Sequence, residues 1–126
     1  MRYLGIDYGK KKVGLAVSEG ISASPFKVIE ISSLIDALQQ VRQIIKREEI
    51  DRVVLGLSES GESRKITENF IRELKKEIEV VVVEETLSSR LADQHMREMD
   101  MAKSKLGKND AVAATIILQD YLDLQR

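Results

Sequence analysis

Acidic residues at three places in this chain could do chemistry, and the first of them is hard to place without a use. Asp7 lies in GIDYG, inside a short apolar run and just before a glycine turn; Glu84 and Glu85 follow four consecutive valines; Asp110 stands with Asn109 at the start of a C-terminal apolar segment. A carboxylate among Gly5, Ile6 and Gly9 is partly shielded from water, so a hydrogen bond, a cation or a metal must compensate it. Capping the backbone N–H groups of a hairpin is one such role for Asp7. Consecutive strand residues face opposite ways, so only one of Glu84 and Glu85 can turn toward a site beside Asp7 unless the strand has already ended. Both could instead stop the strand and place negative charge before a helix that Ser88 caps. Asp110 reads equally as an ordinary N-cap. If the strands are neighbours, the three acids converge at one edge of a sheet. Their mutual repulsion then calls for a divalent ion, and an all-oxygen site prefers Mg²⁺ or Mn²⁺. Two such ions about 4 Å apart activate a water and stabilise the leaving oxygen in phosphodiester cleavage.

The elements that must position these acids can be read from apolar spacing. Residues 2–8 and 12–18 are apolar runs separated by Gly9-Lys10-Lys11, the pattern of a hairpin. Pro25 limits where a third strand begins, and Phe26, Val28 and Ile31 suggest an extended segment over 26–31. Ser32 or Ser33 can cap a helix of about 15 residues carrying Leu34, Ile35, Leu38, Val41, Ile44 and Ile45 at helical spacing. Residues 52–57 and 79–83 are continuous apolar runs of the kind buried on both faces, with a helix from about Ser63 to Glu77 between them, which is a β-α-β crossover. A polar helix over 88–99, a lysine-rich connection MAKSKLGKN and an amphipathic helix over 110–124 complete the chain. Residues 58–65 and 101–109 read as mobile loops. In the last helix Ala113 and Ala114 permit close backbone approach, while Val112, Ile116, Leu118 and Leu122 read as core or subunit contact. Met96, Met99 and Met101 read as packing residues. The expected fold is α/β, a five-stranded mixed sheet of three antiparallel N-terminal strands and two in the crossover, flanked by helices.

Composition narrows the chemistry. The 126 residues are one domain's worth of chain, with 43% hydrophobic and 33% charged residues. Twenty Lys and Arg stand against 21 Asp and Glu, so any contact with nucleic acid must come from a local basic patch. With no cysteine and a single histidine, His95, neither a thiolate nucleophile nor a multi-histidine metal site can form. Catalysis falls to carboxylates. The N-terminus lacks the long apolar stretch of a signal peptide or membrane helix, so a cytoplasmic protein with no membrane partner is expected.

The segments GIDYGKKKVGLAVSE, VVLGL, VEETLSS and KNDAVAATIILQDYL, in this order over nearly the whole chain, resemble the YqgF/RuvX family of the ribonuclease H-like superfamily. The resemblance implies a ribonuclease H-like fold and a metal-dependent nuclease, a single domain over 1–126. It implies 5′-end processing of the 16S rRNA precursor in ribosome biogenesis, or Holliday junction resolution on branched DNA. Carried over by position, its catalytic and metal-binding acids are Asp7, Glu85 and Asp110, serving Mg²⁺ or Mn²⁺. Glu84 is the nearer candidate for a fourth acid and Glu59 the other. Lys108 matches the family's lysine before the late Asp, and Ser88 its helix-capping serine. Substrate phosphates would be met by Lys10, Lys12, Arg90 and Lys108, with Lys11, Arg64, Lys65, Lys103 and Lys105 nearby. The chain departs from the family pattern where Glu84 replaces Asp, Thr86 replaces Arg and Ser58 replaces Pro, and the loop after Ser58 is about two residues shorter. Arg90, one helical turn along, is the available substitute for the missing arginine. Twofold junction substrates would favour a homodimer, whereas rRNA trimming is open to a monomer. Two rivals stand beside this reading. An ATP-binding actin-like fold shares Asp-x-Gly, but needs two lobes. A non-catalytic RNA-binding or ribosome-assembly protein gains support from Thr86, yet gains nothing from clustered acids.

Overall fold

In a computed structural model, which describes residues 1–57, 61–84 and 109–125, five strands form one mixed sheet in the order β3-β2-β1-β4-β5. The strands are β1 (Tyr3–Tyr8), β2 (Lys12–Ser18), β3 (Ala23–Glu30), β4 (Arg52–Leu57) and β5 (Glu79–Glu84). The described helices are α1 (Leu34–Arg47), α2 (Glu62–Leu74) and α3 (Asn109–Leu124). β1 to β3 are antiparallel, whereas β4 runs parallel to both β1 and β5, so α1 and α2 are the crossovers of two parallel steps. This is the mixed sheet expected from the sequence. The expected helix over 88–99 lies outside the described residues.

The period of two along each strand divides the core. Leu4, Ile6, Val13, Leu15, Val53, Leu55 and Leu57 point to one face, where α1 and α2 cover them with Val41, Ile44, Phe70 and Leu74. Ala16 and Val54 point to the other, beneath Ala114, Ile117, Leu118 and Tyr121 of α3. The last helix therefore buries the row through Ala111, Ala114, Leu118 and Leu122, whereas Val112 and Ile116 are only half-buried. Gln119 fastens this helix to the β2–β3 turn, accepting from the Ala23 N–H at 2.9 Å and donating to the Ile21 carbonyl at 3.3 Å. Along the same end of the sheet Arg52 donates to the Tyr121 hydroxyl at 2.9 Å and pairs with Glu79.

Three features differ from the sequence expectation. β3 begins at Ala23 and runs through Pro25, because it is an edge strand and the register shifts between Leu15 and Ala16, a bulge where a missing donor is tolerated. α2 begins at Glu62, within a residue of the expected start, so Arg64 and Lys65, also read as part of a mobile loop over 58–65, lie in a helix. β5 is the last strand of the described sheet, and Val81 to Val83 are half-buried, not enclosed on both faces.

The start of α1 carries a titratable device. Ser33 accepts from the Asp36 N–H at 3.1 Å, and the Asp36 carboxylate in return accepts from the Ser32 N–H at 2.9 Å. That backbone hydrogen bond, helped by Gln40 and the Ser32 hydroxyl, holds the Asp36 carboxyl below its usual range. Stability from this group is therefore fully present above the unfolded carboxylate pKa and is lost as pH falls through the lower folded value. Asp36→Asn should flatten the loss of stability below about pH 4, measured as the urea midpoint against pH, by lowering the midpoint in the neutral region, where the carboxylate contributes, and leaving the acid limit little changed.

Candidate active site

The C-terminal ends of the parallel strands β1, β4 and β5 lie at one margin of the sheet, and the acids gather there. Gly5 faces α3, so Asp7, two residues on, faces α3 as well, while Ile6 and Tyr8 enter the opposite core. In the β1–β2 ladder Asp7 is the Cα partner of Gly14. Above Gly14 sits the first turn of α3: a Cβ built on Gly14 would fall 1.9 Å from the Asp110 carbonyl oxygen. Asp110 thus comes down on the neighbour of Asp7, and strand partners lie only about 5 Å apart between Cα atoms. Both acids are half-buried. The structure brings these two expected residues together through β-register and through a helix start that no local spacing could locate.

Glu84 goes elsewhere. It is registered with Leu57, whose side chain belongs to the α1/α2 core, and its carboxylate accepts from the Arg64 guanidinium at 3.1 Å. The alternation of β5, with Val81 and Val83 on the α3 side and Val82 on the other, therefore corrects the fourth-acid expectation: Glu84 does not face Asp7. Arg64, which the sequence suggested for a substrate-binding loop, also reaches Glu68 at 3.7 Å. Helical spacing from Glu62 would have paired Arg64 with Glu68, but only the strand order reveals Glu84. Glu85, Arg90 and Lys108 lie outside the described residues, as do Ser58, Glu59, Thr86, Ser88, Lys103 and Lys105.

Among the described residues no group of three or more acids or histidines could hold a metal ion. The donor type nevertheless fits Mg²⁺ or Mn²⁺, because Asp7 and Asp110 offer hard carboxylate oxygens and the chain has no cysteine. Cations stand close by. Lys10 reaches Glu62 at 3.5 Å, an exposed and weak pair. Lys12 is exposed and lies on the α3 face, two residues from Gly14 and across from Glu30. Lys10, Lys11 and Lys12 line an open cavity with Glu30, Ile31 and Ser32.

A mixed five-stranded sheet in the order β3-β2-β1-β4-β5 with helices on both faces is the ribonuclease H-like fold. Solved structures share this fold: Thermus thermophilus RuvC bound to a Holliday junction has a TM-score of 0.64 at 15% identity, covering 99% of this chain and 95% of its own. The fowlpox virus Holliday junction resolvase matches with a TM-score of 0.64 at 16% identity over the full length of both chains. A profile of the RuvX family, described as Holliday junction resolvase, matches residues 1–124. A protein of Sulfurihydrogenibium sp. named as a pre-16S rRNA nuclease is 34% identical, over 97% of this chain and 90% of its own length. The chain belongs to the RuvX (YqgF) family, and both descriptions are of nucleases. Among the described residues no helix is long and apolar enough to cross a membrane.

Proposed function

We propose that this protein is a divalent-metal-dependent nuclease that trims the 5′ end of the 16S rRNA precursor. The observation that carries the reading is the juxtaposition of Asp7 and Asp110 across Gly14, in a chain whose relatives are named for that substrate. Glu85, which the resemblance to the family matches to its third acid, completes the set. These three acids would hold Mg²⁺ or Mn²⁺, which when bound lowers the pKa of a water and neutralises charge on the phosphate. Asp7, anchored in a central strand, and Asp110, anchored in a helix packed on it, orient the donors before substrate arrives. Lys12 and Lys10, with Lys108 and Arg90, meet the flanking phosphates as positive charges. Resolution of four-way DNA junctions is the second reading, favoured by the description of the matched family.

The test is cleavage of a labelled 16S precursor fragment and, in parallel, a four-way DNA junction, each with and without Mn²⁺. Mn²⁺-dependent cutting of the precursor at its 5′ side is the expected result. Preferred cutting of the junction would transfer the assignment to the second reading, and tight RNA binding without cutting would identify an assembly factor on a nuclease fold.

Lys12 allows a separate check on the substrate path. Lys12→Ala should weaken binding and reduce the slope of log affinity against log salt by about 0.7 to 0.9, the share of one phosphate contact, whereas Lys65→Ala on α2 should change neither. Equal slopes for Lys12→Ala and the unmodified protein, in a filter-binding or anisotropy titration, would remove Lys12 from the interface.

A further inference from the structure

We infer that Gly14 is a positioning residue: its missing side chain sets how closely Asp110 approaches Asp7, and so how tightly and how selectively the site holds a small divalent ion. The nature of the ligand rests on the nuclease reading above, while the geometry does not. A Cβ at position 14 would lie 1.9 Å from the Asp110 carbonyl oxygen, 2.2 Å from its carbonyl carbon and 2.8 Å from the Ala111 nitrogen, against 3.4–4 Å for an ordinary contact. All three are backbone atoms of a helix, so no rotamer change relieves the overlap. The first turn of α3 would have to lift from the sheet by more than an ångström.

Gly14 lies within a regular strand and has none of the positive φ found at Gly20 and Gly61, so the glycine answers a demand for space and not for an unusual backbone. Two other glycines lie under the same helix. Gly5 would meet Leu118 Cβ at 2.8 Å and the Ala114 carbonyl at 2.9 Å, and Gly56 would meet Ile117 Cδ1 at 2.5 Å. Only Gly14 touches the turn that carries Asp110. Gly56 meets the far end of a flexible side chain, so an alanine there disturbs α3 without displacing the acid.

The chemistry makes an ångström matter. Mg²⁺ demands near-ideal octahedral geometry with oxygens at about 2.0–2.1 Å, whereas Ca²⁺ accepts looser shells at about 2.3–2.6 Å. Lifting Asp110 should therefore penalise the smaller ions more. The experiment is calorimetric titration of Mn²⁺ and Ca²⁺ into the unmodified protein, Gly14→Ala and Gly56→Ala, with circular dichroism to confirm folding. Gly14→Ala should lose about 10- to 100-fold in Mn²⁺ affinity, the range seen when the support of a metal ligand is removed. Its loss in Ca²⁺ affinity should be smaller, and Gly56→Ala should bind both ions as the unmodified protein does. If Gly14→Ala does not fold, Asp110→Glu on the native background supplies the test in the opposite sense: a site spaced for the shorter acid should bind Mn²⁺ more weakly and lose less for Ca²⁺. Unchanged Mn²⁺ affinity in folded Gly14→Ala, or an equal loss in Gly56→Ala, overturns the inference while leaving the nuclease reading intact. Failure of the unmodified protein to bind Mn²⁺ at all overturns both.

Discussion

Replacing Asp7 by asparagine should reduce Mn²⁺-dependent cleavage on the order of 10³-fold, equivalent to about 4 kcal/mol of transition-state stabilisation, without preventing folding. The substitution is nearly isosteric and keeps an acceptor oxygen, so the β1–β2 register, with Asp7 opposite Gly14, has no steric reason to change. What disappears is one unit of negative charge at the point where the sheet presents its acid to α3. The remaining carboxylates then attract a divalent ion less strongly and hold it off-centre, which affects every step that depends on charge neutralisation at the phosphate. Affinity for nucleic acid should be kept or improve slightly, because a like charge is removed from the phosphate path. Single-turnover cleavage and anisotropy binding with the same labelled fragment separate the two effects. Cleavage by Asp7→Asn at the rate of the unmodified protein would exclude Asp7 from the chemistry, and a parallel loss of binding and cleavage would give it a structural role instead.

The second large effect is on stability. Phe70→Ala should destabilise the fold by about 3–5 kcal/mol, a sizeable share of the 5–15 kcal/mol that holds a domain of this size together. Phe70 is fully buried, and its ring stacks on that of Tyr8 at a centroid separation of 4.4 Å. It joins α2 to the strand end that carries Asp7, from the face opposite α3. Burial of Tyr8 pushes its phenol above the ordinary value of 10.0. The folded state therefore keeps this proton to higher pH than the unfolded chain, so its contribution is complete below pH 10 and is lost as pH rises through the folded value. Truncating Phe70 opens a path for water and should bring the Tyr8 titration back toward pH 10, read from phenolate absorbance. A denaturant midpoint shift of under about 1 kcal/mol would mean that the cavity collapses and that the stacked pair matters little. An unchanged tyrosine titration despite lost stability would mean that other groups shield Tyr8.

How far the sequence reached can be followed residue by residue. Strands β1, β2 and β4 and helices α1 and α3 were legible, because hydrophobic period and caps such as Ser33 are local signals. The start of β3 was not, since Pro25 argues against a strand locally and is accommodated only by the edge position and bulge. The fate of Glu84 was open for a similar reason: the sequence showed that two adjacent acids face opposite ways, but not which face holds α3.

By itself, then, the sequence determined the kinds of donor available, oxygen and no sulfur, and the order of elements that carry them. Asp7 at a strand end was visible as a costly placement, because desolvation of a carboxylate is a property of its immediate neighbours, whereas Asp110 at a helix start also read as an ordinary cap. The tertiary structure alone decided which acids meet. It placed β1 between β2 and β4, set Asp7 opposite Gly14, lowered the first turn of α3 onto that glycine, and tied Glu84 to Arg64 on the far face. These are contacts between residues distant in the chain, and they follow from burying two apolar faces of one sheet at once, a condition that no local pattern contains.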